Sequence, residues 1–304
     1  MAATNDLFET ILIPTDGSDG ALAGAKRGID LAGAVGADVH VLSVVEAEPD
    51  AASPAPGAGE DERRASIDAA AESAVEAVAD LLGERRPDLD VTTATERGTP
   101  YRVIGEYVEA AGIDAVAMGT KGRTGLDRVL LGSVAEHVLR TVAVPVLAVP
   151  PAASDAPLTV EAVENVLVPT DGSEGATVAV DWGVGLADVY DATCHALFST
   201  DAGRFTGGAE PSTVLTGLAE EEGRAALETV RERARAAGVD VAATATDGPP
   251  VRVILEYAED NEIDLVVMGT RGRSGLERQL LGSVTENVVR HADVPVCCVP
   301  MTGD

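Results

Sequence analysis

Two segments of this 304-residue chain are near copies of one another. The segment 119–150 reads GTKGRTGLDRVLLGSVAEHVLRTVAVPVLAVP, and 20 of its 32 residues are identical in the segment 269–300. Earlier in each half, ILIPTDGSDG at 11–20 corresponds to VLVPTDGSEG at 166–175. Solenoid repeats have periods of only about 20–50 residues, so this much longer period indicates two duplicated domains. We place the first domain at 1–152 and the second at 153–304.

Short apolar runs alternate with longer Ala-rich segments in each copy. In the first copy we expect five strands, at Ile11–Pro14, Val39–Val45, Val91–Thr95, Ala115–Gly119 and Pro145–Val149. Helices are expected at about 20–35, 61–82, 101–111 and 134–140, with 218–237 as the long helix of the second copy. The segments 46–60 and 200–211 are expected to be loops. This alternation predicts an α/β fold of two tandem open parallel five-stranded sheets with helices on both faces.

The chain is strongly acidic. Asp and Glu number 51 against 22 Lys and Arg, which gives a net charge of −29. Nucleic-acid-binding proteins need a basic surface to neutralise phosphates, so this class is excluded. Such acidity is typical of a halophilic protein, because concentrated salt screens the repulsion between surface charges.

Hydropathy and cysteine usage indicate where the protein is located and whether its cysteines bind a metal. No uncharged apolar run reaches the roughly 18–20 residues of a membrane span, and the N-terminal residues lack the features of a signal peptide. We therefore expect a cytoplasmic protein that does not bind a membrane. The cysteines Cys194, Cys297 and Cys298 form no CxxC or His/Cys cluster, so they are expected to be buried apolar residues rather than metal ligands.

The turn after the first strand carries an aspartate, Asp16, with Asp171 as its counterpart. Ligands of open α/β sheets bind beyond the carboxyl ends of the strands, where the strand order reverses. A carboxylate in this position can accept hydrogen bonds from the hydroxyls of a ribose. Asp is also a common N-cap of a following helix. The residues alone leave both interpretations open.

The turn after the fourth strand is rich in glycine and leads into a helix. It carries Gly119, Gly122 and, nine residues later, Gly132-Ser133; the second copy has Gly269, Gly272, Gly282 and Ser283 at the same spacing. Glycines leave backbone N–H groups accessible, and a helix N-terminus favours an anion, so the pattern indicates a phosphate site. Alternatively, Ser133 with Glu136, and Ser283 with Glu286, fit a capping box that would occupy some of these N–H groups.

The spacing G-x2-G-x9-G-S after a strand ending in Met-Gly resembles the ATP-binding branch of the universal stress protein family. P-T-D-G-S after the first strand, Gly-x-Pro before the third helix and V-P-V in the last strand are also similar. The resemblance covers about 8–150 and 163–300. It implies a Rossmann-like, adenine nucleotide alpha hydrolase-like fold, with ATP or AMP as the ligand and Mg²⁺ as a candidate companion of the phosphates. It also implies that the strands 145–149 and 295–299 pair into an intrachain pseudo-dimer, and a homodimer is a further possibility.

The resemblance implies a role for each matching residue. Asp16 and Asp171 would hold the ribose, while Pro14 and Pro169 would line the adenine pocket. Val44 would contact adenine through its backbone. The corresponding residue in the second copy is Ser199. The ribose and phosphates would be held by Gly119, Gly122, Gly132, Ser133 and Val134 in one site, and by Gly269, Gly272, Gly282, Ser283 and Val284 in the other. From the residues themselves we add Lys121, Arg123, Arg271 and Arg273 as candidate phosphate partners.

Other nucleotide motifs are missing. A Walker A loop needs Gly immediately before Lys, but Lys26 follows an alanine and Lys121 a threonine. No catalytic constellation is found in both halves: His137 aligns with Asn287, and His40 and His195 lie on a predicted strand, where packing is the simpler role.

We therefore expect an adenine-nucleotide-binding stress-response protein that acts through nucleotide-dependent conformation or partner binding. Any ATP hydrolysis is expected to be slow and incidental. The alternatives are an interaction scaffold of the same fold that binds no nucleotide, and a slow ATP hydrolase.

Overall fold

The computed structural model describes residues 7–46, 58–122, 131–200, 213–272 and 281–301. The first half contains β1 Thr10–Pro14, α1 Asp19–Val35, β2 Asp38–Glu46, α2 Ala58–Arg85, β3 Val91–Gly98, α3 Pro100–Ala111, β4 Ala115–Gly119, α4 Ser133–Thr141 and β5 Val146–Val149. The second half contains β6 Asn165–Pro169, α5 Glu174–Tyr190, β7 Thr193–Thr200, α6 Thr213–Ala237, β8 Val241–Asp247, α7 Pro250–Asp260, β9 Leu265–Gly269, α8 Ser283–His291 and β10 Val296–Val299. The predicted boundary between 152 and 153 falls in a short 3₁₀ helix, Pro151–Ala153.

The strands form one ten-stranded sheet in the order β3-β2-β1-β4-β5-β10-β9-β6-β7-β8. Neighbouring strands are parallel within each half. At the centre, β5 and β10 pair antiparallel, with Leu147 opposite Cys297. The two predicted five-stranded parallel sheets are therefore present, and their last strands join them edge to edge, as the pseudo-dimer interpretation expects.

The sheet is buried on both faces, which explains why its central strands are continuous apolar runs. Ile11, Leu12 and Ile13 of β1 have no exposed surface. Two apolar layers flank the sheet, one beneath α1, α2, α5 and α6 and the other beneath α3, α4, α7 and α8. Both layers cross the β5–β10 junction, because alternate residues of these strands enter opposite layers: Leu147 and Cys297 in one, Ala148 and Cys298 in the other.

The cysteines are free and buried, as the sequence predicts. Burial raises the pKa of Cys194 and of Cys297 to about 12, so these thiols stay protonated at neutral pH. Within the described ranges, no helix is both long enough and apolar enough to cross a membrane.

Several elements are longer than the sequence predicts. Helix α2 spans 58–85 rather than 61–82, α6 begins at 213 rather than 218, and β3 continues to Gly98 rather than ending at Thr95. The added β3 residues carry no apolar signal; they are strand because Glu96 and Arg97 pair with Val44 and Val45 of β2. Of the expected loops, 47–57 and 201–211 lie outside the described residues.

A buried ion cluster fixes the connection between the halves to α1. Arg27 and Asp30 are only 2% and 6% exposed, and their side chains lie 3.2 Å apart. Asp30 also accepts hydrogen bonds from Arg85 at 2.9 Å and from the backbone N–H of Leu158 at 3.2 Å. Arg27 donates to the carbonyl of Ala156. Burial lowers the pKa of Arg27, and the carboxylate of Asp30 opposes this effect.

Replacement of Asp30 by Asn should lower the free energy of unfolding by about 3–5 kcal/mol, because Arg27 would remain buried without a counter-charge. The measurement is denaturant-induced unfolding of the full chain. The matched control is Asp181→Asn, since Asp181 pairs with Arg233 at 3.0 Å but is 48% exposed. It should change stability by no more than about 1 kcal/mol. Equal effects of the two substitutions would contradict a structural role for the buried cluster.

Candidate functional site

Each half has one point where the strand order reverses. From β1 the chain proceeds to β2 and β3 on one side, then returns to β4 and β5 on the other. The carboxyl ends of β1 and β4 therefore border a crevice, which is where open α/β sheets bind ligands. Asp16 follows β1 and Gly119 ends β4, so the fold brings the two predicted turns together. Asp171 and Gly269 occupy the same positions in the second half.

The turn after β1 is held by its own side chains. Gly17 has φ +76°, a left-handed conformation that favours glycine. Oδ1 of Asp16 accepts hydrogen bonds from the backbone N–H of Ser18 at 3.0 Å and from its hydroxyl at 2.5 Å. Ser18 is the N-cap of α1, and its Oγ accepts from the N–H of Ala21 at 3.2 Å. The N-cap interpretation of Asp16 is therefore wrong, because Ser18 takes that position.

The second half repeats this arrangement. Ser173 caps α5 by accepting from the N–H of Ala176 at 3.3 Å, and Oδ1 of Asp171 accepts from the N–H of Ser173 at 3.0 Å. In both copies the aspartate stabilises the turn with one oxygen and lies two residues before the cap.

The other carboxylate oxygen points across the crevice to the glycine-rich turn. A Cβ placed on Gly122 would lie 3.0 Å from Oδ2 of Asp16, and one on Gly272 would lie 2.6 Å from Oδ2 of Asp171. These glycines therefore leave space for the carboxylates. In each half the predicted Asp and the second predicted glycine are therefore brought together.

Helix α1 lies with its backbone directly against the end of β4. A Cβ on Gly20 would be 2.0 Å from the carbonyl oxygen of Lys121, and one on Gly119 would be 2.0 Å from that of Gly20. In the second half, a Cβ on Gly175 would be 2.6 Å from the carbonyl oxygen of Arg271. This contact, possible only without side chains, sets the distance between the two turns.

Helix α4 begins at this crevice, and in the described part of the chain no side chain caps it. Its N-cap is Gly132, whose N–H donates to the carbonyl of Thr120 at 2.8 Å. The first helical hydrogen bond runs from Glu136 to Gly132, so the N–H groups of the three residues between them precede the helical ladder. Helix α8 repeats this geometry at Gly282.

The capping-box interpretation is therefore wrong in both halves. Ser133 and Ser283 lie one residue inside their helices rather than at the N-cap. Glu136 does not reach back to the N-terminus but pairs with Arg140 at 2.6 Å. An uncapped helix N-terminus offers N–H donors and a positive partial charge to an anion.

The remaining predicted residues have distinct surroundings. Pro14 and Pro169 end their strands as buried residues, and Val134 and Val284 are half-buried in the first turns of α4 and α8. Lys121 lies in the turn after β4, and Arg271 lies in the turn after β9. Arg123 and Arg273 lie outside the described residues. In the described part of the chain, no three His, Cys, Asp or Glu side chains are grouped as a metal site requires.

The two halves differ where adenine contacts are expected. Val44 is half-buried against the α3/α4 apolar layer. Its counterpart Ser199 donates a hydrogen bond to the carbonyl of Gly248 at 2.6 Å, which ties β7 to the start of α7. Thr285 donates to the carbonyl of Gly269 at 2.7 Å, whereas Ala135 has no hydroxyl at this place.

Among the described residues, an aromatic pair lies beside the first site and has no counterpart beside the second. Tyr101 stacks on His137 with ring centroids 4.4 Å apart, and His137 Nδ1 lies 2.7 Å from the carbonyl oxygen of Ser133. The counterpart of His137, Asn287, makes the same contact through Nδ2, at 2.7 Å from the carbonyl of Ser283. His137 and Asn287 are therefore equivalent in the hydrogen bond they make, although only the histidine adds a ring.

One repeated constellation was not predicted. His40 lies 3.0 Å from the hydroxyl of Tyr107, and His195 lies 3.1 Å from that of Tyr257. Burial lowers the pKa of His195 and, with the nearby Glu96, raises that of Tyr107. His40 is four residues before Val44 on β2, or about 13 Å from the candidate site at the rise of a strand. The recurrence of both His and Tyr in each copy was the available signal.

These features define a class: a tandem doubly wound α/β protein with an uncapped helix N-terminus and a carboxylate at each switch point. A sequence profile of the universal stress protein family matches residues 7–150 and 162–300, and the chain belongs to that family.

Individual relatives agree with this assignment. A universal stress protein of Methanocaldococcus jannaschii is 39% identical over 138 residues, which are 45% of this chain and 81% of the relative. A universal stress protein of Bacillus subtilis is 31% identical over 149 residues, covering 44% of this chain and 97% of the relative. The crystal structure of a universal stress protein from Archaeoglobus fulgidus has the same fold, with a TM-score of 0.72 at 23% identity over 96% of this chain and 98% of that one.

The close contact between α1 and β4 predicts that Gly20→Ala is destabilising, by about 1–3 kcal/mol, because the new methyl group would overlap the carbonyl oxygen of Lys121. The control is Gly105→Ala in α3, where a Cβ meets nothing within 4 Å. This control should raise the free energy of unfolding by about 0.5–1 kcal/mol, because Ala has a higher helix propensity than Gly. Thermal unfolding measures both. Similar behaviour of the two variants would show that α1 and β4 can separate freely.

Proposed function

We propose that each half of the chain binds one adenine nucleotide, ATP or AMP, in its switch-point crevice. The protein would then act in the stress response through nucleotide-dependent conformation or partner binding. The observation that carries this proposal is the convergence, in both halves, of a carboxylate oxygen and an uncapped helix N-terminus on the same glycine-lined crevice.

The two ends of the crevice suit the two ends of a nucleotide. Oδ2 of Asp16, beside Gly122, is suited to accept hydrogen bonds from ribose hydroxyls, which are strong when the acceptor is charged. The N–H groups of Ser133 and Val134 are suited to phosphate oxygens, and the helix dipole adds to this attraction. Mg²⁺ would accompany a triphosphate through the phosphate oxygens.

The position of the base should differ between the sites. Val44, half-buried against the α3/α4 apolar layer, would give the first crevice an apolar wall, whereas in the second half the Ser199 hydroxyl is bonded to the carbonyl of Gly248. An apolar wall stabilises an adenine ring better than a polar wall does, because the apolar wall costs less free energy to desolvate. We therefore expect the first site to bind adenine nucleotides more tightly.

Two nucleotides per chain are expected to bind the wild-type protein in isothermal titration calorimetry. Asp16→Ala and Asp171→Ala should each weaken one site by at least about tenfold and leave one nucleotide per chain at the other, because hydrogen bonds to a charged group contribute about 1.5–3 kcal/mol each. Asp88→Asn is the matched control. Asp88 lies away from both turns and pairs with Arg86 at a distance of 2.7 Å.

The same titrations separate the alternatives. Absence of binding by the wild-type chain would favour a scaffold without nucleotide. Release of phosphate well above background would favour a hydrolase. Binding that is unchanged by both aspartate substitutions would place the nucleotide elsewhere.

The net charge predicts a salt dependence of ATP binding. A surface with −29 charges repels a polyanion, and at about 1 M KCl the Debye length falls to roughly 3 Å, which removes the long-range part of this repulsion. ATP should therefore bind more tightly in molar KCl than in dilute buffer, while uncharged adenosine, the matched control ligand, should change little. A steady fall of ATP affinity with salt would contradict this prediction.

A further inference from the structure

The helices that begin at the two candidate sites meet across the centre of the molecule. Helices α4 and α8 flank β5 and β10, and each carries a Glu in its first turn and an Arg one turn later. We call Glu136, Arg140, Glu286 and Arg290 the charge cluster. Its Glu residues follow Ser133 and Ser283 by three positions, or about 4.5 Å of helix rise.

Each arginine of the charge cluster contacts both glutamates. Nη2 of Arg140 lies 2.6 Å from Oε1 of Glu136 on its own helix and 4.0 Å from Oε2 of Glu286 on the other. Nη2 of Arg290 lies 2.6 Å from Glu286 and 3.9 Å from Glu136. The four side chains are 24–30% exposed, so water screens them only in part.

This geometry allows two pairings. In the one present, the short contacts lie within each helix and the long ones connect the halves. In the alternative, each arginine would make its short contact with the opposite helix. The Nε atoms of Arg140 and Arg290 are both buried without a hydrogen-bond partner among the described residues. An unpaired buried donor is unfavourable, so the pairing present leaves one donor of each arginine unsatisfied.

Exchange between the pairings involves both halves at once. When Glu136 moves its short contact from Arg140 to Arg290, Glu286 moves its own short contact from Arg290 to Arg140. We propose that this exchange couples the two candidate nucleotide sites, so that occupation of one changes the affinity of the other. The inference rests on the proposed nucleotide binding and concerns its regulation.

The sign of the coupling follows from the symmetry of the charge cluster. A phosphate at the N-terminus of α4 acts on Glu136 as a phosphate at α8 acts on Glu286, because the two helices have the same geometry. Whichever pairing one nucleotide favours, the second favours as well. Two ligands that stabilise the same state bind cooperatively. The coupling is therefore positive.

Calorimetric titration of the full chain with ATP tests this inference. Asp16→Ala and Asp171→Ala give the affinity of each site alone, and these two constants define the curve for independent sites. The wild-type chain should bind its second nucleotide about fivefold more tightly than the curve for independent sites predicts. This factor is at the lower end of known allosteric couplings. If an Ala variant does not fold, Asp16→Asn or Asp171→Asn replaces it, since Asn keeps the acceptor for the serine N–H.

The double variant E136Q/E286Q removes both carboxylate charges and keeps the side-chain size. Asp16→Ala and Asp171→Ala, each added to the double variant, give the affinity of each of its sites alone. The ATP titration of the double variant should then follow the curve that these two constants define for independent sites. Glu228→Gln is the matched control, because Glu228 pairs with Arg231 on α6 at 3.4 Å; it should keep the fivefold effect.

Each outcome has one meaning. No binding by the wild-type chain overturns the proposed function and this inference together. Binding that fits independent sites, or a second nucleotide that binds more weakly, overturns the coupling alone. Coupling that persists in E136Q/E286Q overturns the role of the charge cluster.

Discussion

The antiparallel pairing of β5 with β10 is the contact on which the rest of the molecule depends. A strand at the edge of a sheet has unpaired N–H and C=O groups, and this pairing satisfies the inner edges of both halves. It also makes each apolar layer continuous across the molecule. Because α4 and α8 lie on one face of this junction and α1 and α5 on the other, their contacts follow from it. Among the described strands, β3 and β8 remain as the edges of the sheet.

Backbone contacts, more than side chains, shape each crevice. Glycines at 20, 24 and 119 let α1 lie against the end of β4, and Gly122 leaves room for the Asp16 carboxylate. A site made of backbone groups tolerates changes in the surrounding side chains. The two halves accordingly keep the same turns and helix starts while differing at Val44 and Ser199, at Ala135 and Thr285, and at Tyr101 and its counterpart Val251.

Local and repeated patterns could be predicted from the sequence, and contacts between distant segments could not. The strands, the switch points and the glycine turns were identified because apolar runs and glycine spacing recur in both copies. The cap of α1 could not be assigned from the sequence, because Asp16 and Ser18 are both good caps and the pattern does not rank them. The end of β3 depends on its pairing with β2. The contact of Arg27 with Ala156 joins residues 129 positions apart and has no local signature.

The connection of the halves in one chain removes a constraint that symmetry would impose. In a dimer of identical subunits, any residue on the contact surface must occur on both sides. Here Arg27 on α1 corresponds in position to Trp182 on α5. Arg27 forms the buried ion cluster, whereas Trp182 stacks on Phe8 at 5.9 Å. The two halves thus present different side chains to one another at the same position of the fold. Because the two halves belong to one chain, the pairing of these unlike surfaces persists at any dilution.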